Sequence, residues 1–165
     1  EVTQASPSYT TLTVTVASGT NSYGTGNKYY ISGLSGASPT VTLNEGTTYR
    51  FDQSDASNSG HPLRFSTTAN GTHGGGSEYT TGVTTFGTPG AAGAYTRIKV
   101  ATDAPTLYYY CTNHSGMGGQ ANTPAATATA STSGTQAKYR YEGPPQIAQV
   151  RPGVSTVTVN LIGVI

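Results

Sequence analysis

The sequence predicts an all-β protein, and three observations support that prediction. Threonine, serine, glycine and tyrosine are abundant and tryptophan is absent, a composition that suits short strands and tight turns. Apolar residues alternate with polar ones at a period of two in many stretches, as expected of strands with one buried face. No stretch shows the period of an amphipathic helix. These features favour a Greek-key β-sandwich with about eight strands.

The predicted strands lie between turn signals such as residues 32–36 and 87–90, which are rich in glycine, serine or proline. The alternation of Leu12, Val14 and Val16 defines the buried face of the first strand. The predicted strands cover residues 12–16, 28–31, 41–43, 49–51, 63–65, 98–100, 107–109 and 154–162. At 165 residues the chain is long enough for these faces to bury a core of ordinary size.

Composition divides the chain into three parts. Residues 1–122 carry most of the alternating pattern and are predicted to form the sandwich. Residues 123–137 are small and uncharged, which is typical of a linker or an extended strap. Residues 138–165 contain a strongly alternating strand that either completes the sheet of its own domain or pairs with a neighbouring subunit. The second arrangement predicts a homo-oligomer or polymer held together by the C-terminal strand.

Charge and hydropathy exclude several classes of partner. Only 9% of residues are charged and the net charge is +1, so the sequence offers no basic stripe for nucleic acid. No run approaches the roughly 20 apolar residues of a membrane-spanning helix. A single cysteine excludes a disulfide within the chain. The three lysines are few, which suits an extracellular or virion surface, and we expect that location.

Four residues form a predicted metal site. The only cysteine and the only methionine lie close together in the spacing Cys-x2-His-x2-Met, formed by Cys111, His114 and Met117. A further histidine, His61, lies fifty residues before the cysteine. A thiolate, two imidazoles and a thioether are the ligands of the blue-copper site, and thiolate and thioether favour copper over magnesium or calcium. We therefore expect one copper ion.

Strand alternation predicts where two of these ligands point. Cys111 shares its parity with Leu107 and Tyr109, so the thiolate emerges from the end of a strand into the interior if those residues face the core. His61 stands in the same relation to Leu63 and Phe65. Both ligands are thus expected to point inward from strand ends. His114 and Met117 follow on a loop whose three glycines permit sharp bends.

Residues 107–118 resemble the C-terminal ligand strand and loop of the cupredoxins, the family that includes plastocyanin and amicyanin. Residues 40–51 are similar to the strand pair that precedes the first histidine in that family. The resemblance implies that His61, Cys111, His114 and Met117 are the four ligands. It also places Tyr110 as the aromatic residue beside the cysteine on the outer face. Pro62 departs from the family, which usually has there an asparagine that ties the two ligand segments together.

A narrower resemblance concerns residues 51–66 and 71–76. These segments are similar to cupredoxin-like modules in structural proteins of marine cyanobacterial phages and related viruses. In those proteins the module is part of a particle or fibre. The resemblance implies a structural subunit of an extracellular or virion assembly, such as a fibre or a capsid- or tail-associated protein. The alternative is a soluble blue-copper electron-transfer protein, whose redox partner the sequence does not name.

Several other interpretations stay open or are excluded. The cupredoxin-like site is expected to hold copper, but zinc, an empty site or simple packing of the side chains are the alternatives. His73 lies in a glycine-rich run and is expected to be a loop residue, with an additional metal ligand as the alternative. Asn70-Gly71-Thr72 fits the acceptor pattern for N-glycosylation. No Gly-x-Ser-x-Gly motif and no His-x-His pair is present, so we expect no enzymatic activity.

Overall fold

The structure, a computed structural model, describes residues 8–126. Ten strands lie in this range: β1 (Thr10–Asn21), β2 (Gly24–Ile31), β3 (Val41–Thr42), β4 (Thr48–Asp52), β5 (Leu63–Ser66), β6 (Glu78–Tyr79), β7 (Val83–Phe86), β8 (Tyr95–Lys99), β9 (Leu107–Cys111) and β10 (Gly119–Asn122). The described helical structure is limited to two 3₁₀ turns, at Ala56–Asn58 and Gly71–Gly74. No described helix is long and apolar enough to cross a membrane.

The strands form two five-stranded sheets that enclose one core, which confirms the predicted all-β sandwich. Sheet 1 has the order β2-β1-β4-β8-β7, and sheet 2 has the order β3-β10-β9-β5-β6. The Greek-key connectivity stays a prediction. The fully buried rings of Phe51 in sheet 1 and Phe65 in sheet 2 meet edge to face, with centroids 5.3 Å apart. This contact joins the two sheets at the centre of the core.

Every predicted strand within the described residues is present. Three further strands, β6, β7 and β10, were not predicted. The four residues of β7 are exposed or only partly buried, and Ala121 is the one fully buried residue of β10. These strands lack the apolar alternation that makes a strand visible in a sequence. The predicted strand at residues 154–162 lies outside the described residues.

Two parallel pairings give both sheets a mixed character. Residues 10–13 of β1 pair in parallel with β4, whereas residues 14–21 pair antiparallel with β2. In sheet 2, β10 pairs in parallel with β3 and antiparallel with β9. β9 therefore lies between β10 and β5. Its last residue, Cys111, pairs with Leu63 of β5, whereas the pairing with β10 covers only Leu107 to Tyr109.

The beginning of the predicted linker lies against the sandwich. The Thr123 hydroxyl is 2.8 Å from the Ala104 carbonyl oxygen and 2.9 Å from that of Pro105. The Glu45 amide donates a hydrogen bond to the Pro124 carbonyl at 3.0 Å. The first residues after β10 are thus fixed to the domain. The rest of the linker and the C-terminal extension lie outside the described residues.

Candidate metal centre

The pairing of β5 with β9 brings two predicted ligands to one end of the sandwich. Cys111 is the last residue of β9 and lies opposite Leu63, the first residue of β5. His61 precedes Leu63 by two residues, so strand alternation places both side chains on the same side. Cys111 is 0% exposed and His61 is 8% exposed. Both side chains are buried, as the alternation predicts.

His114 reaches the same place from the ligand loop, which we define as residues 112–118 between β9 and β10. The ligand atoms of His61, Cys111 and His114 all lie within 4.8 Å of one another. The Cys111 Sγ atom is 3.9 Å from Nδ1 of His61 and 3.6 Å from Nδ1 of His114. The two imidazole centroids are 4.6 Å apart. Three of the four residues predicted as ligands therefore converge on one point.

These separations suit three donors around one ion. A metal–nitrogen bond of about 2.1 Å and a metal–sulfur bond of about 2.3 Å, meeting at about 110–120°, place their donor atoms roughly 3.6–3.8 Å apart. The two sulfur–nitrogen distances, 3.6 and 3.9 Å, agree with this within about 0.1 Å. The group can hold a metal ion with an affinity for nitrogen and sulfur without large side-chain movement.

The three donors differ in their exposure to solvent. His61 and Cys111 are buried, whereas His114 is exposed. Burial lowers the pKa of His61 below its usual value of 6.5, and the nearby His114 lowers this pKa further. The imidazole of His61 is therefore neutral at pH 7, and its lone pair is available to a metal. The exposed His114 connects the buried donors to the surface.

Met117, the fourth predicted ligand, lies at the end of the ligand loop and belongs to the hydrophobic core, with 1% of its surface exposed. Its carbonyl oxygen accepts hydrogen bonds from the Tyr29 amide at 3.0 Å and from the Ser38 hydroxyl at 2.9 Å. These bonds fix the backbone at Met117 against β2. The role of its thioether as a ligand stays a prediction.

A buried polar network holds the segment that carries His61. The His61 carbonyl oxygen accepts one hydrogen bond from the Tyr29 hydroxyl and another from Gln53 Nε2, each at 2.8 Å. Gln53 Oε1 accepts from the Leu63 amide at 3.1 Å. Gln53 Nε2 also lies 3.3 Å from Asn58 Oδ1. Because these groups are buried, each bond satisfies a polar atom that has no access to water.

Gln53, at the centre of this network, can be recognised from the sequence alone. Gln53 shares its parity with Tyr49 and Phe51 on β4 and its continuation, so it is a polar residue at a core position. Such a residue needs internal hydrogen-bond partners. The pattern does not reveal which partners, because Tyr29 and His61 lie far apart in the sequence and meet only in the folded domain.

A different bond joins the two ligand segments where Pro62 cannot. Asn113, which precedes His114, donates from its side chain to the Gly60 carbonyl oxygen at 2.9 Å. The Thr112 amide donates to the Pro62 carbonyl oxygen at 3.1 Å. The side-chain amide that ties the segments thus comes from the ligand loop and not from the residue after His61. Nothing in the local sequence marks Asn113 for this role.

Of two residues near Cys111, Tyr110 differs from its expected setting, whereas His73 lies in the glycine-rich loop as expected. Strand alternation places Tyr110 on the face of β9 opposite Cys111, but it is 1% exposed and therefore not a surface residue. The backbone of Gly71 lies against its ring so closely that a Cβ atom there would collide with it. His73 is not one of the three converging residues. Its Nε2 atom lies 3.0 Å from the Cys111 carbonyl oxygen, and because a carbonyl only accepts, Nε2 is the donor.

No family model and no curated protein sequence matches this chain.

Proposed function

We propose that the protein is a copper-binding domain of the cupredoxin type that serves as a structural subunit of an extracellular or virion assembly. The metal-binding part of this proposal is supported by one observation: the ligand atoms of His61, Cys111 and His114 lie within 4.8 Å of one another. Met117 is proposed as the fourth ligand from its spacing in the sequence. The donor set favours copper because thiolate and thioether are soft ligands.

The residues around the site prepare it for such an ion. Burial of Cys111 and His61 keeps water away from two donors. The lowered pKa of His61 keeps its imidazole neutral. A bound copper ion supplies a one-electron couple, and the buried surroundings and the hydrogen bonds near the thiolate would set its potential. Zinc remains the competing metal, because two imidazoles and a thiolate also suit zinc.

The positions of the donors support the proposed structural role. They come from two separate segments, one before β5 and one around the end of β9, so a bound ion would cross-link them. An ion that binds the folded site and not the unfolded chain stabilises the fold by mass action, by about 2.7 kcal/mol when free metal is 100 times the dissociation constant. Such stabilisation suits a subunit exposed outside a cell. The extracellular or virion setting rests on the resemblance to phage structural modules.

A soluble electron carrier is the second candidate, and one observation favours it. His114 is exposed while the other two converging donors are buried. An exposed ligand gives a partner protein access to the metal, whereas the buried Tyr110 offers no second route at the surface. A structural site has no need of such access.

The first experiment is a titration of the purified protein with Cu(II), followed by visible absorption. We expect an intense thiolate-to-copper band that disappears in the Cys111→Ser variant. The His73→Gln variant is the matched control. It removes a histidine beside the site, and the amide of the new glutamine can still donate a hydrogen bond to the Cys111 carbonyl. It should keep the band. Absence of the band in the wild-type protein at any copper loading would contradict the proposed metal site.

Particle size and electrochemistry separate the two roles. A structural subunit should elute as a large species or form filaments in light scattering of the full chain. A carrier should be monomeric and should cycle reversibly between Cu(I) and Cu(II) on an electrode. A monomer with reversible electrochemistry would overturn the assembly proposal and leave the metal site intact.

A further inference from the structure

The glycine-rich segment between β5 and β6 contacts the metal site from outside. We call residues 68–76 the outer loop; it contains the 3₁₀ turn at Gly71–Gly74. None of the four predicted metal ligands lies in this loop. Two of its side chains, Asn70 and His73, form hydrogen bonds with the segment from Cys111 to Gly116.

Asn70 uses both ends of its side chain on the ligand loop. Its Oδ1 atom accepts a hydrogen bond from the Gly116 amide at 2.7 Å, and its Nδ2 atom donates to the Ser115 hydroxyl at 2.8 Å. Ser115 and Gly116 lie between His114 and Met117. Gly116 is buried, so its amide needs a partner within the protein. Asn70 therefore fixes the backbone between two predicted ligands.

The backbone of Asn70 is itself unusual. Its φ of 62° and ψ of 13° lie in the left-handed region, which a residue other than glycine seldom adopts. Asparagine tolerates this region better than most residues do. A glycine would be the least strained choice, so an asparagine side chain here goes against the local preference of the backbone. The two bonds to the ligand loop give a physical reason for it.

His73 and Gly71 hold the adjoining end of β9. His73 Nε2 donates to the Cys111 carbonyl oxygen at 3.0 Å. Gly71 lies directly against the ring of Tyr110, the residue before Cys111. The outer loop thus contacts the ligand-bearing segment at three places, on both sides of Cys111 and His114.

We propose that the outer loop is a positioning element, in which Asn70 and His73 hold Cys111 and the ligand loop in their metal-binding arrangement before an ion binds. Neither residue is a ligand. The consequence for metal affinity rests on the proposed function, whereas the consequence for the metal-free protein does not. Residues that orient metal ligands in this way typically contribute 10–100-fold to affinity.

The metal-free protein provides the first test. Asn70→Gly suits the left-handed backbone and removes both side-chain bonds. We expect hydrogen exchange of the Gly116 amide, followed by NMR, to become at least about 10-fold faster, since that amide loses its acceptor. Asp103→Gly is the matched control, because Asp103 is also left-handed, with a φ of 55°, but precedes β9 at the end remote from Cys111. It should leave exchange at Gly116 unchanged, and Asn70→Asp, which keeps the acceptor, should preserve most of the protection.

Metal binding provides the second test. We expect Asn70→Gly and His73→Ala to bind Co(II) and Cu(II) about 10–100-fold more weakly than the wild-type protein. His73→Gln should restore most of the affinity, because it restores a donor. The inference would be overturned if the Gly116 amide of Asn70→Gly exchanged at the wild-type rate. It would also be overturned if Asn70→Gly and His73→Ala both bound the metals with wild-type affinity. If the wild-type protein bound neither metal, the proposed function would fail and exchange at Gly116 alone would decide the inference.

Discussion

The two segments that carry the donors are held in opposite ways. The His61 segment is fixed from inside the sandwich, by the buried side chains of Tyr29 and Gln53. The ligand loop is fixed at the surface, by the side chain of Asn70 in the outer loop and by the bond of its own Asn113 to Gly60. The His61 segment is thus tied to the buried core, whereas the surface hydrogen bonds of the ligand loop can be removed without touching its buried residue, Met117. Substitutions in the first should change stability, and substitutions in the second should change metal binding.

The largest effect on stability is expected at Gln53. Gln53→Leu removes the partners of the buried Leu63 amide and of Asn58, and each unsatisfied group costs about 1–3 kcal/mol. We expect the free energy of unfolding of the metal-free protein to fall by about 2–4 kcal/mol, measured by urea denaturation. Gln120→Leu is the control, because Gln120 is exposed on β10. Equal losses in the two variants would contradict the role of the buried network.

A smaller loss is expected at Tyr29. Tyr29→Phe removes one of the two donors to the His61 carbonyl and leaves the bond from Gln53 in place. The free energy of unfolding should fall by about 1 kcal/mol. Tyr30→Phe removes a hydroxyl that bonds Ser18 at the exposed face, so its effect should stay below about 0.5 kcal/mol. Thermal denaturation of both variants, with the wild type beside them, tests the difference.

Asn113 should show the reverse pattern. Asn113→Ala breaks an exposed hydrogen bond to Gly60, so the free energy of unfolding should change by less than about 0.5 kcal/mol. The affinity for Co(II) should fall by about 10-fold, because the two ligand segments lose a direct link. Asn27→Ala, at an exposed position of β2, should change neither quantity. A large loss of stability without a change in affinity would show that both segments belong to one core.

Acidification should produce the smallest effect, again on the His61 side. Hydrogen bonds from the Ser57 hydroxyl and amide lower the pKa of Asp55 below its usual value of 3.8. A lowered carboxyl pKa stabilises the fold above the unfolded value, and that stability is lost as pH falls through the folded value. We therefore expect Asp55→Asn to reduce the loss of stability below about pH 4, in urea denaturation at several pH values. An unchanged acid dependence would contradict this.

Much of the fold was predictable from the sequence because alternation reports burial directly. The inward position of Cys111 followed from Leu107 and Tyr109, which are both buried. The strands β6 and β7 were not predictable, because exposed strands carry no apolar pattern. The parallel pairing of β1 with β4 was not predictable either, since residues far apart in the sequence decide it.

The candidate site was predictable only as far as the donors themselves. Cysteine and histidine at a specific spacing are informative because few other arrangements need them. The partners Asn113, Asn70 and His73 are common polar residues whose roles arise from tertiary contacts. Tyr110 shows the limit of alternation: its side of the strand was predicted, but its burial depends on the outer loop, which lies about forty residues earlier in the chain.

The lengths of the outermost strands determine where a further chain could add to this domain. Sheet 2, which carries the donors, ends in β3 and β6. Each of these strands is two residues long, so the edges of this sheet offer few main-chain groups with which an added strand could pair. In sheet 1, the free side of β2 is occupied at Tyr29 by main-chain bonds to Met117 and Ser38. The other outermost strand of sheet 1 is β7, which is four residues long and contains Phe86, a side chain that is 61% exposed. Among the outermost strands that the structure describes, β7 therefore offers an open main-chain edge on the sheet that does not carry the donors, and a strand added there would leave the metal centre outside the junction.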